Sequence, residues 1–345
     1  MAISILDVTS NPRTLAAFLA VPEGAYRGDG DYCAPQRRSV LSALDPDGFS
    51  GDQRILVAVD GSRPVARVVA RRSGALKDGE GRPVGILGFF EALDERAAVD
   101  RLFATAVDWL KGVGAGSIVG PMDGDTWHRY RLNVGPHSER PFLMEPYNPP
   151  HYPGHWERNG FRVLERYYSK RVDDVAGVLP RLEEKYRGAL AAGYRLEAIR
   201  MDRFERELER IYALSVEVFR NNFLYSDISP KRFLGLYSGV RSLVDPQLVR
   251  IAVAPDGTDA GFLFAFPDRI RAVNIKSLGV VRAHRRSGLA SALMHLGYKT
   301  AHDQGYKRVN LCLILDGNPS GDLDGGLGTT FRRYHLYQWA ENTGS

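Results

Sequence analysis

Residues 285–290 read Arg-Arg-Ser-Gly-Leu-Ala, and they run directly into the apolar pattern "LASALMHLGYKTA". The first turn of an α-helix leaves backbone amides without acceptors and carries the positive end of the helix dipole. Two arginines there add charge of the same sign, which is unfavourable unless an anion settles on them. A phosphate suits such a place: guanidinium groups donate to it in pairs, and a glycine removes the Cβ that would keep the backbone away. The residues that raise this expectation are Arg285, Arg286 and Gly288.

The elements that must position this loop occur twice. Residues 87–118, "LGFFEALDERAAVDRLFATAVDWLKGVGAGSI", align without a gap on 278–309, "LGVVRAHRRSGLASALMHLGYKTAHDQGYKRV", at an offset of 191. Gly88 meets Gly279, Ala92 meets Ala283, Leu102 meets Leu293 and Gly114 meets Gly305. Each copy reads as strand, loop, amphipathic helix, glycine stop and strand. Upstream of each is a hairpin with an Asp-Gly turn, in 54–70 and in 249–266. Downstream, 159–172 resembles 326–339, both with an aromatic strand carrying an Arg-Tyr pair. Residues 178–193 are expected to form a connecting helix, with Pro180 near its start and Gly193 past its end. The spacing then predicts a first strand in "YRLEAIRM" and a first helix in "FERELERIYALSVEVF" for the second copy.

The copies differ at the loop. Where the second has Arg285 and Arg286, the first has Asp94 and Glu95, and Gly288 is matched by Ala97. Acids in a first turn complement the dipole of a helix that binds nothing. The first copy thus sets the baseline from which the second departs, toward polyphosphate.

With 345 residues, 44% hydrophobic and 25% charged, the chain has room for two domains of ordinary globular composition. Its formal charge of +5 is compatible with a phosphate-rich ligand or RNA. Cys33 and Cys312 lie far apart and in no metal spacing, so neither a disulfide framework nor a metal is expected. The N-terminus has no signal-peptide pattern and no stretch reaches membrane-spanning length, so a cytoplasmic protein without a membrane partner is expected.

The sequence Arg285-Arg286-Ser287-Gly288-Leu289-Ala290, between the strand "NIKSLGVV" and the following helix, resembles the pyrophosphate loop of the GNAT superfamily of acyl-CoA-dependent N-acyltransferases. The whole chain is similar to the bacterial tandem-GNAT proteins, through segments 18–36, 147–161 and 219–233 as well. That resemblance implies a mixed α/β fold of two tandem GNAT-like domains forming a pseudo-dimer. The implied domains are 1–175 without the pyrophosphate loop, a linker helix at 176–193, and 194–345 with the loop. It implies acetyl-CoA or another acyl-CoA as co-substrate, a small-molecule amine as acceptor, direct attack without an acyl-enzyme, and a monomer or homodimer. Amides of Gly279, Val280 and Val281 would polarise the acyl carbonyl, Asn318 would lie near the cofactor arm, and Asn222 and Tyr225, in the loop between the first two helices of the second copy, would line the acceptor pocket beside Asn221.

The pattern also departs from the family. Where a tyrosine general acid is common, "GNPSGDLDGGLGTTF" has Asp324 followed by Gly325 and Gly326, and no glutamate base is apparent in "NIKSLGVV". Two further readings follow: an aminoacyl-tRNA donor, and a non-catalytic acyl-CoA-binding module. A basic stripe from Arg285 and Arg286 to Arg332 and Arg333 would favour tRNA. His295 is expected to be packed or solvated and Cys312 packed, rather than catalytic; Asp316 fits a base at a strand end or a turn residue equally well; and Trp127, His128, Tyr152 and Trp156 are expected to form a wall or simply pack.

Overall fold

The computed structural model describes residues 2–44, 52–268 and 271–340. They form two compact units, one reaching to Arg166 and resuming at Tyr334, the other running from Tyr167 to Arg333. The first unit contains β1 (Ile3–Asp7), α1 (Leu15–Ala25), α2 (Arg37–Leu44), β2 (Gln53–Asp60), β3 (Arg63–Lys77), β4 (Pro83–Ala92), α3 (Arg96–Gly112), β5 (Ser117–Gly120), β6 (Leu132–Gly135) and α4 (Tyr152–Arg158). Strand β7 (Phe161–Val172) begins in it and ends in the second. The second unit contains α5 (Val175–Ala191), β8 (Arg195–Ala198), α6 (Phe204–Phe219), α7 (Pro230–Tyr237), β9 (Val249–Val253), β10 (Asp259–Pro267), β11 (Ala272–Val280), α8 (Leu289–Asp303) and β12 (Arg308–Leu315). Strand β13 (Thr329–Trp339) starts there and finishes in the first.

The sheets follow one plan. In the first unit the order is β1-β2-β3-β4-β5-β13, and in the second β8-β9-β10-β11-β12-β7. Neighbours are antiparallel except β4 with β5 and β11 with β12, which are joined by the crossover helices α3 and α8. The final antiparallel strand of each sheet comes from the other end of the repeat: Tyr337 and Gln338 of β13 pair with Gly120 and Val119, and Tyr167 to Val172 of β7 pair along β12. The compact units therefore do not coincide with the consecutive blocks 1–175 and 194–345. An exposed strand edge needs a partner, and β13 covers β5 as β7 covers β12.

Helix α5 is more than a linker. Asp174 caps it, accepting from the Gly177 amide at 2.9 Å, so it begins earlier than Pro180 suggests. Its Val178 and Leu182 join Leu293 and Tyr298 of α8 and Leu263, Val273 and Leu311 of the sheet in one apolar core. Helix α3 buries Val99, Leu102, Phe103, Ala106 and Leu110 at helical spacing against the first sheet.

The repeat is real in topology but not gapless. Val84 pairs with Ser117 as Ala272 pairs with Arg308, so β4 and β11 correspond at an offset of 188, whereas Gly114 and Gly305 keep 191. Ala92 accordingly stands where Val280 does, not Ala283, and Gly88 is not the counterpart of Gly279. The difference is taken up in the loop, which is longer before α8 than before α3.

Candidate active site

Strands β11 and β12 stay paired only from Ala272–Arg308 to Ile275–Leu311. Beyond Leu311, β12 bulges: Leu313 takes a φ of 60° and its amide turns to Ser169 Oγ at 3.0 Å. β11 continues beside β10 to Val280. The two parallel strands thus splay apart, and the amides on that side of β11 face the opening.

Register decides which amides those are. The Val281 amide donates to Ala260 O at 3.0 Å, which makes that pair hydrogen-bonded. Bonded pairs alternate with non-bonded ones in an antiparallel ladder, so Gly279, opposite Phe262, also turns its amide to β10. Leu278 and Val280 face the splay. Of the three amides expected to polarise a carbonyl, Val280 is so placed; Gly279 and Val281 are not, and Leu278 was missed.

Below the splay the chain forms the expected loop. A short turn, 282–284, leads to Arg286 at φ 70° and Gly288 at φ 79°, both left-handed. The first helical bond of α8 runs from the Ala292 amide to Gly288 O, so the amides of Leu289, Ala290 and Ser291 have no acceptor within the helix. Ser287 Oγ reaches the Leu289 amide at only 3.3 Å and donates to His284 O at 2.7 Å. Arg285 and Arg286 are exposed, with Arg285 Nε reaching back to Val280 O at 3.3 Å. Gly288 is suited to its positive φ, and a Cβ there would come 3.3 Å from Lys185 Cδ, a tight contact with a flexible, exposed side chain. Lys185, exposed on α5, lays its stem against Gly288. Its position could not be read from a helix taken for a linker.

The same place in the first unit is closed. A Cβ on Gly88 would lie 2.1 Å from Met122 O, because the chain after β5 crosses the mouth of the splay. The Met122 amide donates to Leu87 O at 2.8 Å, and the Phe89 amide donates to Asp123 Oδ1 at 2.5 Å. The Ala92 amide, counterpart of Val280, donates to the Tyr152 hydroxyl at 2.7 Å, and that hydroxyl donates to buried Glu91 at 3.0 Å. Tyr26 also donates to Glu91, at 2.7 Å, and Arg129 approaches it at 3.1 Å. Burial, reinforced by Glu91, pushes the Tyr26 and Tyr152 hydroxyls well above the usual range. Tyr152 and Trp156, expected as wall or packing, are fully buried in the first core; His128 binds Asp125 at 2.6 Å.

On the other face of the second sheet, α6 packs on β10 and β11, and α7 packs on α6. Val218 of α6 packs against Gly279, the Tyr237 ring lies 6.5 Å from Phe264, and Lys276 Nζ lies 5.7 Å from the Tyr237 ring. Buried Asn274 links Asp268, at 2.9 Å, to Asn310, at 2.8 Å, beside Cys312. In the connector 220–229, Asn221 and Asn222 are exposed, while Tyr225 is partly buried and pushed up to about 12 by burial and Asp227. Asn318 has a local task, accepting from the Ser320 amide at 2.9 Å as the cap of a turn.

Asp324 is no substitute acid. It is 1% exposed, ion-paired with Lys170 at 2.7 Å, and accepts from the Gly326 and Gly328 amides. His295 is packed against Tyr186 and Glu183, Cys312 is buried, and neither cysteine is in a disulfide. Arg332 is 1% exposed, so no surface stripe runs through it. Ligand atoms of Asp94, His151 and His155 lie within 4.8 Å of one another. Arg158 donates to His155 Nδ1 at 3.0 Å, so the proton of neutral His155 sits on Nε2, 3.5 Å from Asp94 Oδ1. Among the described residues no helix is long and apolar enough to cross a membrane.

Residues 205–322 match the acetyltransferase (GNAT) family. The bacterial ceramide synthase of Caulobacter vibrioides (strain NA1000 / CB15N) is 21% identical over 98% of this chain and 97% of its own length. A solved tandem GNAT protein from the clavulanic acid biosynthesis pathway aligns over 100% of both chains, with a TM-score of 0.53 and 13% identity. The GCN5-related glucosamine N-acetyltransferase region of a fungal multi-domain GH3 β-N-acetylglucosaminidase aligns over 98% of this chain, with a TM-score of 0.56 and 14% identity; this chain spans 38% of that one.

Proposed function

We propose that this chain, a member of the GNAT acyltransferase superfamily, moves an acyl group from acyl-CoA to the amine of a long-chain amino alcohol, and does so in its second unit alone. The observation that carries the donor is the contrast between Val280, whose amide faces an open splay above a glycine-arginine loop, and Ala92, whose amide is capped. The acceptor is taken from the relative named a ceramide synthase, which matches nearly end to end. A ceramide is a long-chain amino alcohol whose nitrogen bears a fatty acyl group.

In this reading the CoA pyrophosphate rests on the amides of Leu289 and Ala290 and on Arg285, Arg286 and Lys185. The thioester lies between β11 and β12. The acceptor nitrogen, approaching from the α6–α7 face, attacks the thioester carbon; the C–N bond forms as the carbonyl electrons move to oxygen. The Leu278 and Val280 amides donate to that oxyanion. Collapse breaks the C–S bond, CoA leaves as thiolate, and the ammonium proton passes to solvent. A thiol with a pKa of about 8.5 is a good enough leaving group to depart without a dedicated acid, which suits a site whose Asp324 is engaged elsewhere.

The test is to incubate the purified chain with palmitoyl-CoA or acetyl-CoA and a panel of long- and short-chain amines, following free thiol and amide mass. Amide formation on a long-chain amino alcohol supports the reading. CoA binding without amide from any amine would leave a binding module, and amide from charged tRNA alone would replace the donor.

A further inference from the structure

Among the described residues, three exposed large apolar side chains fall in one short stretch of the second unit: Phe223, Leu236 and Leu243, at 41%, 37% and 49% exposure. The stretch 220–243 carries Arg220, Lys231, Arg232 and Arg241 against the single acid Asp227. Leu224 holds a φ of 53°, an unfavourable conformation for a leucine. Phe223 before it is exposed, whereas Ile228 after it is buried. Helix α7 then shows two unlike sides. Inward, Phe233 packs on Tyr212 and Tyr237 reaches Phe264 and Lys276 beside the splay. Outward, Lys231 and Leu236 face solvent, and Leu243 follows seven residues on, in the 3-10 turn that α7 packs against.

A two-turn helix thus separates Phe264 and Lys276, beside the splay, from exposed Leu236, in a stretch that also exposes Phe223 and Leu243 and carries three more cations than acids, Arg241 among them being paired with Glu205 at 3.0 Å. Interfacial membrane binding uses that combination, apolar residues dipping into the headgroup boundary and cations meeting anionic lipid. We infer that residues 220–243 dock on an anionic bilayer surface, from which the acceptor amine reaches the splay around α7. This inference rests on the long-chain acceptor proposed above. It also revises the expectation of no membrane partner, which was drawn from the absence of a span and says nothing of a surface.

The test is flotation of the full chain with vesicles of phosphatidylglycerol and phosphatidylcholine, or of phosphatidylcholine alone. Beside the parent run Phe223→Ser/Leu236→Ser/Leu243→Ser and, separately, Arg220→Glu/Lys231→Glu. The parent is expected to float with the anionic vesicles and the serine variant to lose about tenfold or more in partitioning, with CoA binding by calorimetry unchanged as proof of fold. The charge-reversed variant should lose most of its preference for anionic over neutral vesicles, and salt should weaken the parent's binding. A parent that floats with neither vesicle, or a serine variant that floats as well as the parent, overturns the inference. So does a loss of self-association in place of flotation, since a second copy would then be the occupant. Failure of the function is separate: the chain would still float, while no acyl transfer to a long-chain amine would be seen.

Discussion

The Ala92 amide is 2.7 Å from the Tyr152 hydroxyl, which passes its own proton toward the buried Glu91 carboxylate at 3.0 Å. The equivalent amide in the second half of the chain, Val280, faces a splay with no such cap. Tyr152→Phe should therefore act on stability. It deprives Glu91 of a donor and leaves a buried amide without an acceptor, at a cost of about 1–3 kcal/mol. Thermal unfolding should show the loss, while CoA affinity and turnover stay within error of the parent.

Val280→Pro removes one of the two amides, with that of Leu278, that face the splay and are proposed to donate to the oxyanion. The amide makes no ladder bond to β10, so proline is tolerable there. The account predicts a fall in kcat of about 10²–10³, with acyl-CoA affinity nearly kept. Val281→Pro, which breaks the bond to Ala260 O, should instead lower stability.

Lys185→Glu should weaken CoA by about tenfold through charge reversal over the loop, with Lys185→Arg close to the parent. Calorimetry at two ionic strengths checks this: the loss should shrink as salt rises. An unchanged affinity would mean that the Lys185 stem merely packs on Gly288.

Acid should unfold the first unit early. Burial, with the His151 and Arg158 charges acting the same way, holds His155 at about 4, below its ordinary 6.5. Below pH 6.5 the unfolded chain takes up a proton that the folded one refuses. The contribution is thus complete above 6.5 and is lost as pH falls toward 4, on the order of 2 kcal/mol. His155→Gln should flatten the stability profile across that window.

Much of this was legible in the residues. The helix Phe204–Phe219, the two Asp-Gly hairpins and the loop from Arg285 to Ala290 stand where pattern put them. Strand β7 was legible as a strand but not as the partner of β12, because the aromatic pattern it shares with β13 does not say which sheet each strand joins. The gapless repeat concealed a longer loop, since apolar strands tolerate slippage that sequence alone does not register. Which β11 amides face the opening depends on ladder parity, and parity depends on the bulge between Phe264 and Ala265. No residue type announces that bulge.

The most direct measurement is the stoichiometry of acyl-CoA binding by calorimetry, for the parent and for Gly288→Glu. The account predicts one donor per chain, held by the second unit and lost in the variant. Two donors per chain, or a single one that survives Gly288→Glu, would contradict it.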